Sequence, residues 1–310
     1  MAGRRALSAV VVAVILWSAC SLFVRAGDTD ALVFTTWRLW LAILPLGVIV
    51  WLRSNGAAAR PFKPTDITTS RWVLLLFGAG AFFVAGAATA FAALQMTTLL
   101  NVTLIGALAP VVIIAFAVMF LGEHVHTRLL VQGSIAIVAT FVVALAAAGG
   151  GGTWSLAGDI MAVVSLFLNA GWFLYGRVLR TSITVDPFAL MFGTMVTGAL
   201  ILSPITLVAH GSLAISGKGL FFAVCVMVAG TTAHVLMIWA HRFIPTSVSS
   251  PLLLAEPPLV AAGAWVWFGE SLGPVEIIGS AIVVASLWGV VRSEDLEQVE
   301  HDLPDPAPPT

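Results

Sequence analysis

Continuous apolar stretches of about twenty residues dominate this chain, and short polar or charged connections separate them. A helix of that length crosses a bilayer, whereas a membrane strand needs about ten residues of alternating pattern. Because lipid offers backbone amides no hydrogen-bond partner, only helices or a closed barrel can span it. Hydrophobic residues make up 60% of the chain and charged residues 9%, too few to cover a water-soluble protein. The sequence predicts an all-α integral membrane protein with the lipid bilayer as its surroundings.

Charges, glycines and prolines divide the apolar stretches into ten predicted transmembrane helices. The connections between them are short, so there is no room for a folded domain outside the membrane. The predicted helices are 7–25, 32–53, 72–95, 101–121, 128–148, 157–180, 188–209, 218–242, 247–269 and 275–292.

The distribution of basic residues supports ten spans. Short cytoplasmic loops collect Lys and Arg. With the N-terminus inside, eleven of the 14 Lys and Arg residues fall on the cytoplasmic side. Removing or adding one span would destroy this pattern. We therefore expect a multi-pass protein of the cell inner membrane with both termini cytoplasmic.

The two halves of the chain carry a repeated segment. Pro110 is followed thirteen residues later by Glu123, and Pro257 is followed thirteen residues later by Glu270. Each of these Glu residues comes directly after a glycine. Five spans per half is an odd number, so the second repeat must be inverted relative to the first. The predicted units are a first repeat over 1–148, a linker over 149–156, an inverted repeat over 157–292 and a disordered acidic tail over 293–310.

These motifs resemble the drug/metabolite transporter superfamily, EamA type, over residues 7–292. The resemblance implies ten helices, a central cavity between inverted halves and, often, export of amino acids or related metabolites. It does not choose a substrate, because one fold serves many functions. The residues that carry it are Leu16-Trp17-Ser18, Arg38, Pro110 with Leu121-Gly122-Glu123, and Glu256-Pro257 with Phe268-Gly269-Glu270.

A carboxylate inside the ninth predicted helix calls for an explanation. Glu256 lies mid-span, where a charge is costly unless it is paired, hydrated or protonated. It is either a binding site for a substrate amine or a proton, or a structural hydrogen bond. Glu256 and His234 are each eleven residues from Pro245, which predicts matching depth in an antiparallel hairpin. We expect a His234–Glu256 pair that changes protonation during transport; the alternative is a neutral His234 bonded to Thr231.

Arg38 lies about two turns inside the second predicted helix. Its long side chain could reach outward to the interface. Alternatively it binds a substrate carboxylate or pairs with Glu270, and the resemblance to the family supports a functional role. Glu123 and Glu270 are predicted to be structural, because both lie at wet helix ends.

A larger set of residues is predicted to line the cavity. Its members are polar or aromatic and lie within the predicted spans, beside helix breaks at Pro110, Pro257 and Pro258. No metal or other cofactor is expected, since His124 and His126 diverge on a helix. The predicted cavity residues are Glu256, His234, Asn169, Trp17, Ser18, Arg38, Trp172, Tyr175, Thr231 and Trp239.

The favoured function is a secondary active transporter of small metabolites, amino acids first, working by alternating access with export favoured. Protons are the candidate coupling ion, and the oligomeric state is left open. The net charge of −1 excludes nucleic acid as a partner. An intramembrane enzyme acting on a lipid or isoprenoid-linked substrate is the weaker alternative, because the sequence has no His-Glu-x-x-His motif and no pair of adjacent Asp residues. A channel is the third, although no selectivity filter is evident.

Overall fold

A computed structural model describes residues 2–27, 29–55, 62–64, 67–97, 102, 105–122, 127–146, 155–182, 185–269 and 273–292. Over these ranges all regular secondary structure is helical and no strand occurs. The ten principal helices are α1 (Ala2–Gly27), α2 (Ala31–Ser54), α3 (Thr69–Met96), α4 (Ala109–Leu121), α5 (Thr127–Ala146), α6 (Leu156–Ser182), α7 (Pro187–His210), α8 (Gly217–Ala240), α9 (Glu256–Phe268) and α10 (Pro274–Arg292).

The all-α architecture with ten helices is confirmed. Within the described residues, seven helical segments are long and apolar enough to cross a membrane, and the fourth, fifth and tenth helices supply shorter apolar stretches. Side chains on their outer faces are apolar and exposed, as lipid contact requires: Leu44 is 75% exposed, Val208 88% and Val266 77%.

The ninth span differs from the continuous helix that the sequence predicts. A helical turn, Thr246–Ser249, leads into a 3₁₀ helix, Pro251–Ala255, and α9 begins only at Glu256. Helix α4 likewise begins at Ala109 rather than at residue 101. Both helices carry proline at their second residue, where its missing N–H costs nothing. The prolines therefore start these helices instead of interrupting them.

Helices α4 and α9 also end alike. Gly122 and Gly269 adopt left-handed conformations with φ of 64° and 69°. Their amides donate back to carbonyls of the last turn, to Ala117 in the first repeat and to Ala264 and Trp265 in the second. Both helices contain 13 residues. The sequence repeat is therefore also a structural repeat.

Helices α2 and α7 are equivalent members of the two repeats and pack antiparallel. Asp30 caps the start of α2 and lies 3.1 Å from His210 in the last turn of α7. At the opposite end, Asp186 caps the start of α7 and lies 2.8 Å from Arg53 in the last turn of α2. The same interaction thus occurs once at each end of the seam, as an inverted repeat requires.

Three further pairs of helices join the two repeats. Helices α5 and α10 are also antiparallel, because Gln132 packs on Gly289 at one end while Val142 faces Val275 at the other. Helix α1 packs on α8, and α6 packs on α3. The first helix of each repeat thus contacts the third helix of the other repeat, which places residues of both halves around the middle of the molecule.

Several predictions fall outside the described residues. They concern Glu123, Glu270, most of the linker and the acidic tail after residue 292. His124 and His126 are in the same position. The side chains of Arg4, Arg25, Arg128, Arg180 and Arg292 are likewise outside the description.

Candidate functional site

The seam between α1 and α8 brings Trp17 against His234. Their ring centroids are 5.0 Å apart and their planes meet at 78°. His234 Nδ1 lies 2.6 Å from the Gly230 carbonyl oxygen and 3.3 Å from Trp17 Nε1. One ring nitrogen cannot donate to the first and accept from the second. Because the contact with Gly230 is the shorter one, we assign the proton of the neutral imidazole to Nδ1. Nε2 is then the hydrogen-bond acceptor of the ring.

Aromatic rings from two other helices close around this imidazole. The Phe83 ring of α3 lies 5.2 Å from it, and the Trp172 ring of α6 lies 6.4 Å from it. Beside them is a small cavity of about 10 Å³, room for roughly one water molecule. Its walls combine residues of both repeats: Trp17, Trp172, Phe173, Gly176, His234, Met237, Ile238 and His241.

Arg38 of α2 points into the interior beside this cluster. Its Cζ lies 5.4 Å from the centroid of the Phe83 ring. Its Nε and Nη2 atoms are buried and make no hydrogen bond among the described residues. The outward-reaching side chain considered from the sequence is therefore not observed. A buried guanidinium without a partner is costly, and its planar donor pair matches a carboxylate.

Glu256, the first residue of α9, faces α1. Ser21 Oγ donates to Glu256 Oε1 over 3.3 Å. The predicted His234–Glu256 pair is not observed among the described residues: His234 Nδ1 donates to the Gly230 carbonyl, and the Trp17 ring packs against the imidazole. The register argument assumed a straight ninth helix. The turn and the 3₁₀ helix before Glu256 change both rise and rotation, and α9 packs on α1.

Other predicted cavity residues use their polar groups within the scaffold. Ser18 Oγ donates to the Val14 carbonyl over 2.8 Å. Tyr175 Oη donates to the Leu75 carbonyl of α3 over 2.7 Å. The exposed Asn169 donates to the Ser165 carbonyl over 2.9 Å, and it does not line the small cavity.

Two further predicted cavity residues, Trp239 and Thr231, lie in different surroundings. Trp239 packs on Phe243 with ring centroids 5.0 Å apart, away from the cavity. Thr231 is buried, and its hydroxyl has no partner in the described part of the chain. It does not bond His234, so this structural alternative is not observed either. Among the described residues no group of three or more His, Cys, Asp or Glu could hold a metal ion.

The profile of the EamA-like transporter family matches residues 4–145 and, a second time, residues 156–292. Together these matches cover well over half of the chain. The chain belongs to the EamA-like transporter family. It is therefore a multi-pass membrane transporter of two-repeat architecture, and the resemblance inferred from its motifs is confirmed. Family membership leaves the specificity open.

Two relatives of this EamA-like transporter extend the comparison. An uncharacterized transporter of Archaeoglobus fulgidus is 24% identical over 280 residues, which cover 90% of this chain and 94% of the relative. A protein of known crystal structure is 17% identical and superposes with a TM-score of 0.77, covering 95% of this chain and 98% of the other. At that identity the superposition shows the fold alone.

Sequence reasoning missed several residues around the site of this EamA-like transporter. His241 lies seven residues after His234 and lines the same cavity, a spacing that puts both on one helix face. Ser21 lies one turn after Trp17, so the same periodicity could have found it. Phe83 and Phe173 had no sequence signal, because apolar aromatic residues are common throughout the spans. Cys20, beside Ser21, had no sequence signal either, because it lies in an apolar stretch.

Proposed function

We propose that this chain is a secondary active transporter that exports small amphipathic metabolites, amino acids first, across the inner membrane by alternating access. The observation that carries this proposal is the buried guanidinium of Arg38, whose Nε and Nη2 have no hydrogen-bond partner in the part of the chain that the structure describes. Leaving such a charge unpaired lowers the stability of the protein, so its retention inside a span points to a role in binding a ligand. A carboxylate fits its donor geometry.

A second charge supports a zwitterionic ligand. Glu256 packs against α1 through Ser21, and the adjacent Cys20 Sγ and Arg38 Nη2 lie 3.4 Å and 3.5 Å from the Cβ position of Gly230. One short stretch of α1 thus lies near a positive and a negative group. The carboxylate of an amino acid would bind Arg38 and its ammonium would bind Glu256. Trp17, Phe83 and Trp172 would contact the apolar part of the ligand.

The two repeats supply the moving parts of the proposed cycle. We take residues 1–148 and 157–292 as the units that rock against one another, joined by the linker 149–156 and followed by the tail 293–310. The seams between α1 and α8 and between α3 and α6 place residues of both units around Arg38 and His234. The basic residues favour cytoplasmic termini. The site would open to each side in turn.

Counterflow into proteoliposomes tests the proposal. Vesicles loaded with an unlabelled amino acid should accumulate the labelled amino acid transiently, which a channel or an enzyme cannot do. Arg38→Lys keeps the charge but loses the planar donor pair, so we expect the apparent KM to rise on the order of tenfold. Arg38→Gln should abolish accumulation. Absence of counterflow for every amino acid would remove this substrate class.

Proton coupling is the second part of the proposal. His234 and Glu256 are ionisable groups within the spans, where such groups mark transport pathways. An imposed pH gradient should drive uptake by the unmodified protein, and His234→Ala should change the dependence of transport on pH. If His234→Ala keeps the pH profile of the unmodified protein, this histidine is not the coupling group. Glu256→Gln then decides whether the carboxylate has that role.

A further inference from the structure

Cys20 of α1 and Arg38 of α2 approach the same point on α8. The position that a Cβ atom would occupy on Gly230 lies 3.4 Å from Cys20 Sγ and 3.5 Å from Arg38 Nη2. Gly230 has no side chain, so a gap remains between the thiol, the guanidinium and the helix backbone. Cys20 Sγ also lies 3.9 Å from the Val226 carbonyl oxygen one turn earlier on α8.

Two features of the residues beside this gap favour ligand binding there. Arg38 Nε and Nη2 are buried and have no hydrogen-bond partner among the described residues. Cys20 itself is only partly buried, so its thiol can be reached. Cys20 and Arg38 approach the same point on α8, and Cys20 directly precedes Ser21, whose hydroxyl donates to Glu256.

We propose that Cys20 and Gly230 form two walls of the anion subsite of Arg38, and that covalent modification of the Cys20 thiol closes this subsite. The inference rests on the proposed function in that Arg38 receives the anionic group of the substrate. It adds a modification site and a residue that determines the size of the subsite. Gly230 keeps the subsite open because any side chain there would fill it.

Methanethiosulfonates of different charge are the probes. The Cys20 sulfur attacks the sulfenyl sulfur of the reagent, a new disulfide forms, methanesulfinate leaves, and the thiol proton passes to solvent. The anionic sulfonatoethyl reagent should be attracted by Arg38, whereas the cationic trimethylammonium-ethyl reagent should be repelled. Intact mass measures the rate of modification on the purified full-length protein.

Single-thiol variants make the comparison specific. Cys225→Ala retains Cys20 alone, and Cys20→Ala retains Cys225 alone as the reference thiol, which is also partly buried. For each thiol we compare the rate with the anionic reagent to the rate with the cationic one. This ratio should be on the order of tenfold higher for Cys20 than for Cys225. Arg38→Gln should remove this preference, and Arg38→Lys should retain it because the charge is kept.

Gly230→Ala tests the second wall. The added methyl group would be in ordinary van der Waals contact with both neighbours, so the variant should fold, but the gap would be filled. We expect slower modification of Cys20 by both reagents. Gly217→Ala on the same helix is the matched control, because nothing lies within 4 Å of its Cβ position. It should leave both rates unchanged.

The outcomes separate the two proposals. An equal rate for both reagents, a charge preference that persists in Arg38→Gln, or no reaction of Cys20 would overturn the inference. Counterflow that continues at full rate after complete modification of Cys20 would overturn it as well. If the charge preference is found but no amino acid shows counterflow, the subsite stands and the proposed amino-acid substrate fails.

Discussion

At the scale of single residues, polar side chains inside the spans divide into those that the scaffold uses and those that it leaves free. Ser18, Tyr175 and Asn169 bond backbone carbonyls, which accounts for their polarity without any ligand. Arg38 and Thr231 instead have buried polar atoms for which the described residues provide no partner. Because an unpaired polar group costs more in the interior than at the surface, these two are the better evidence for a binding site.

Tyr175→Phe tests the assignment of Tyr175 to the scaffold. The substitution removes the 2.7 Å hydrogen bond from Tyr175 Oη to the Leu75 carbonyl and leaves the ring in place. We expect a loss of about 1 kcal/mol in the free energy of unfolding. The melting temperature in detergent should fall, while the KM of counterflow should stay unchanged. A rise in KM without a loss of stability would place Tyr175 in the site.

At the scale of elements, the charged caps of α2 and α7 show that equivalent positions are not equally strong. Asp186 has a side chain only 5% exposed and receives two hydrogen bonds from Arg53, whereas Asp30 and His210 have side chains 30% and 34% exposed. Water screens the second pair more effectively. The seam between the helices is therefore held more firmly at the Arg53 end.

Asp186→Ala and Asp186→Asn separate the two roles of this residue. Asp186 Oδ1 accepts from the amides of Phe188 and Ala189, and Oδ2 accepts from Arg53. Alanine removes the cap and the ion pair, so we expect a loss of about 1–2 kcal/mol in the free energy of unfolding. Asparagine keeps a capping oxygen and should lose less.

Asp30→Ala is the comparison for the equivalent, more exposed position, and its melting temperature should fall less than that of Asp186→Ala. Thermal unfolding of the three purified variants measures the order. Equal losses at the two positions would contradict the view that burial strengthens the Asp186 end.

At the scale of the whole molecule, the contacts between the ends of α2 and α7 agree with spans that cross the membrane in alternating directions. Each contact joins two helix ends that such spans bring to the same side. Asp30 meets His210 at one end, and Arg53 meets Asp186 at the other. Helices α5 and α10 also pair antiparallel. This arrangement fixes which ends lie together, and the basic residues then favour one absolute orientation.

Labelling of single cysteines tests that orientation. Asn55 and Ser212 are exposed and lie at opposite ends of the antiparallel α2–α7 pair. In a protein without Cys20 and Cys225, Ser212→Cys should react with a membrane-impermeant maleimide in intact cells. Asn55→Cys should react only after the membrane is opened. The reverse pattern would invert the proposed topology, and labelling of both in intact cells would contradict the number of spans.

The sequence alone predicted the number and class of the helices and the internal repeat. Hydropathy and glycine act within single segments, so each span and the two Gly–Glu ends could be found without knowing any neighbour. The prolines predicted to break two spans instead begin α4 and α9. The repeat was visible because Pro110 and Pro257 stand at equal distances from Glu123 and Glu270.

The partners within the site were decided by the tertiary structure. His234 meets Trp17 instead of Glu256, because the 3₁₀ helix rotates the start of α9 toward α1. Cys20 and Arg38 meet over Gly230 only because α1, α2 and α8 pack together. The rotation and depth of each helix depend on contacts between segments remote in the chain, which local patterns do not encode. The sequence thus determined which segments span the membrane, and packing determined which side chains face one another.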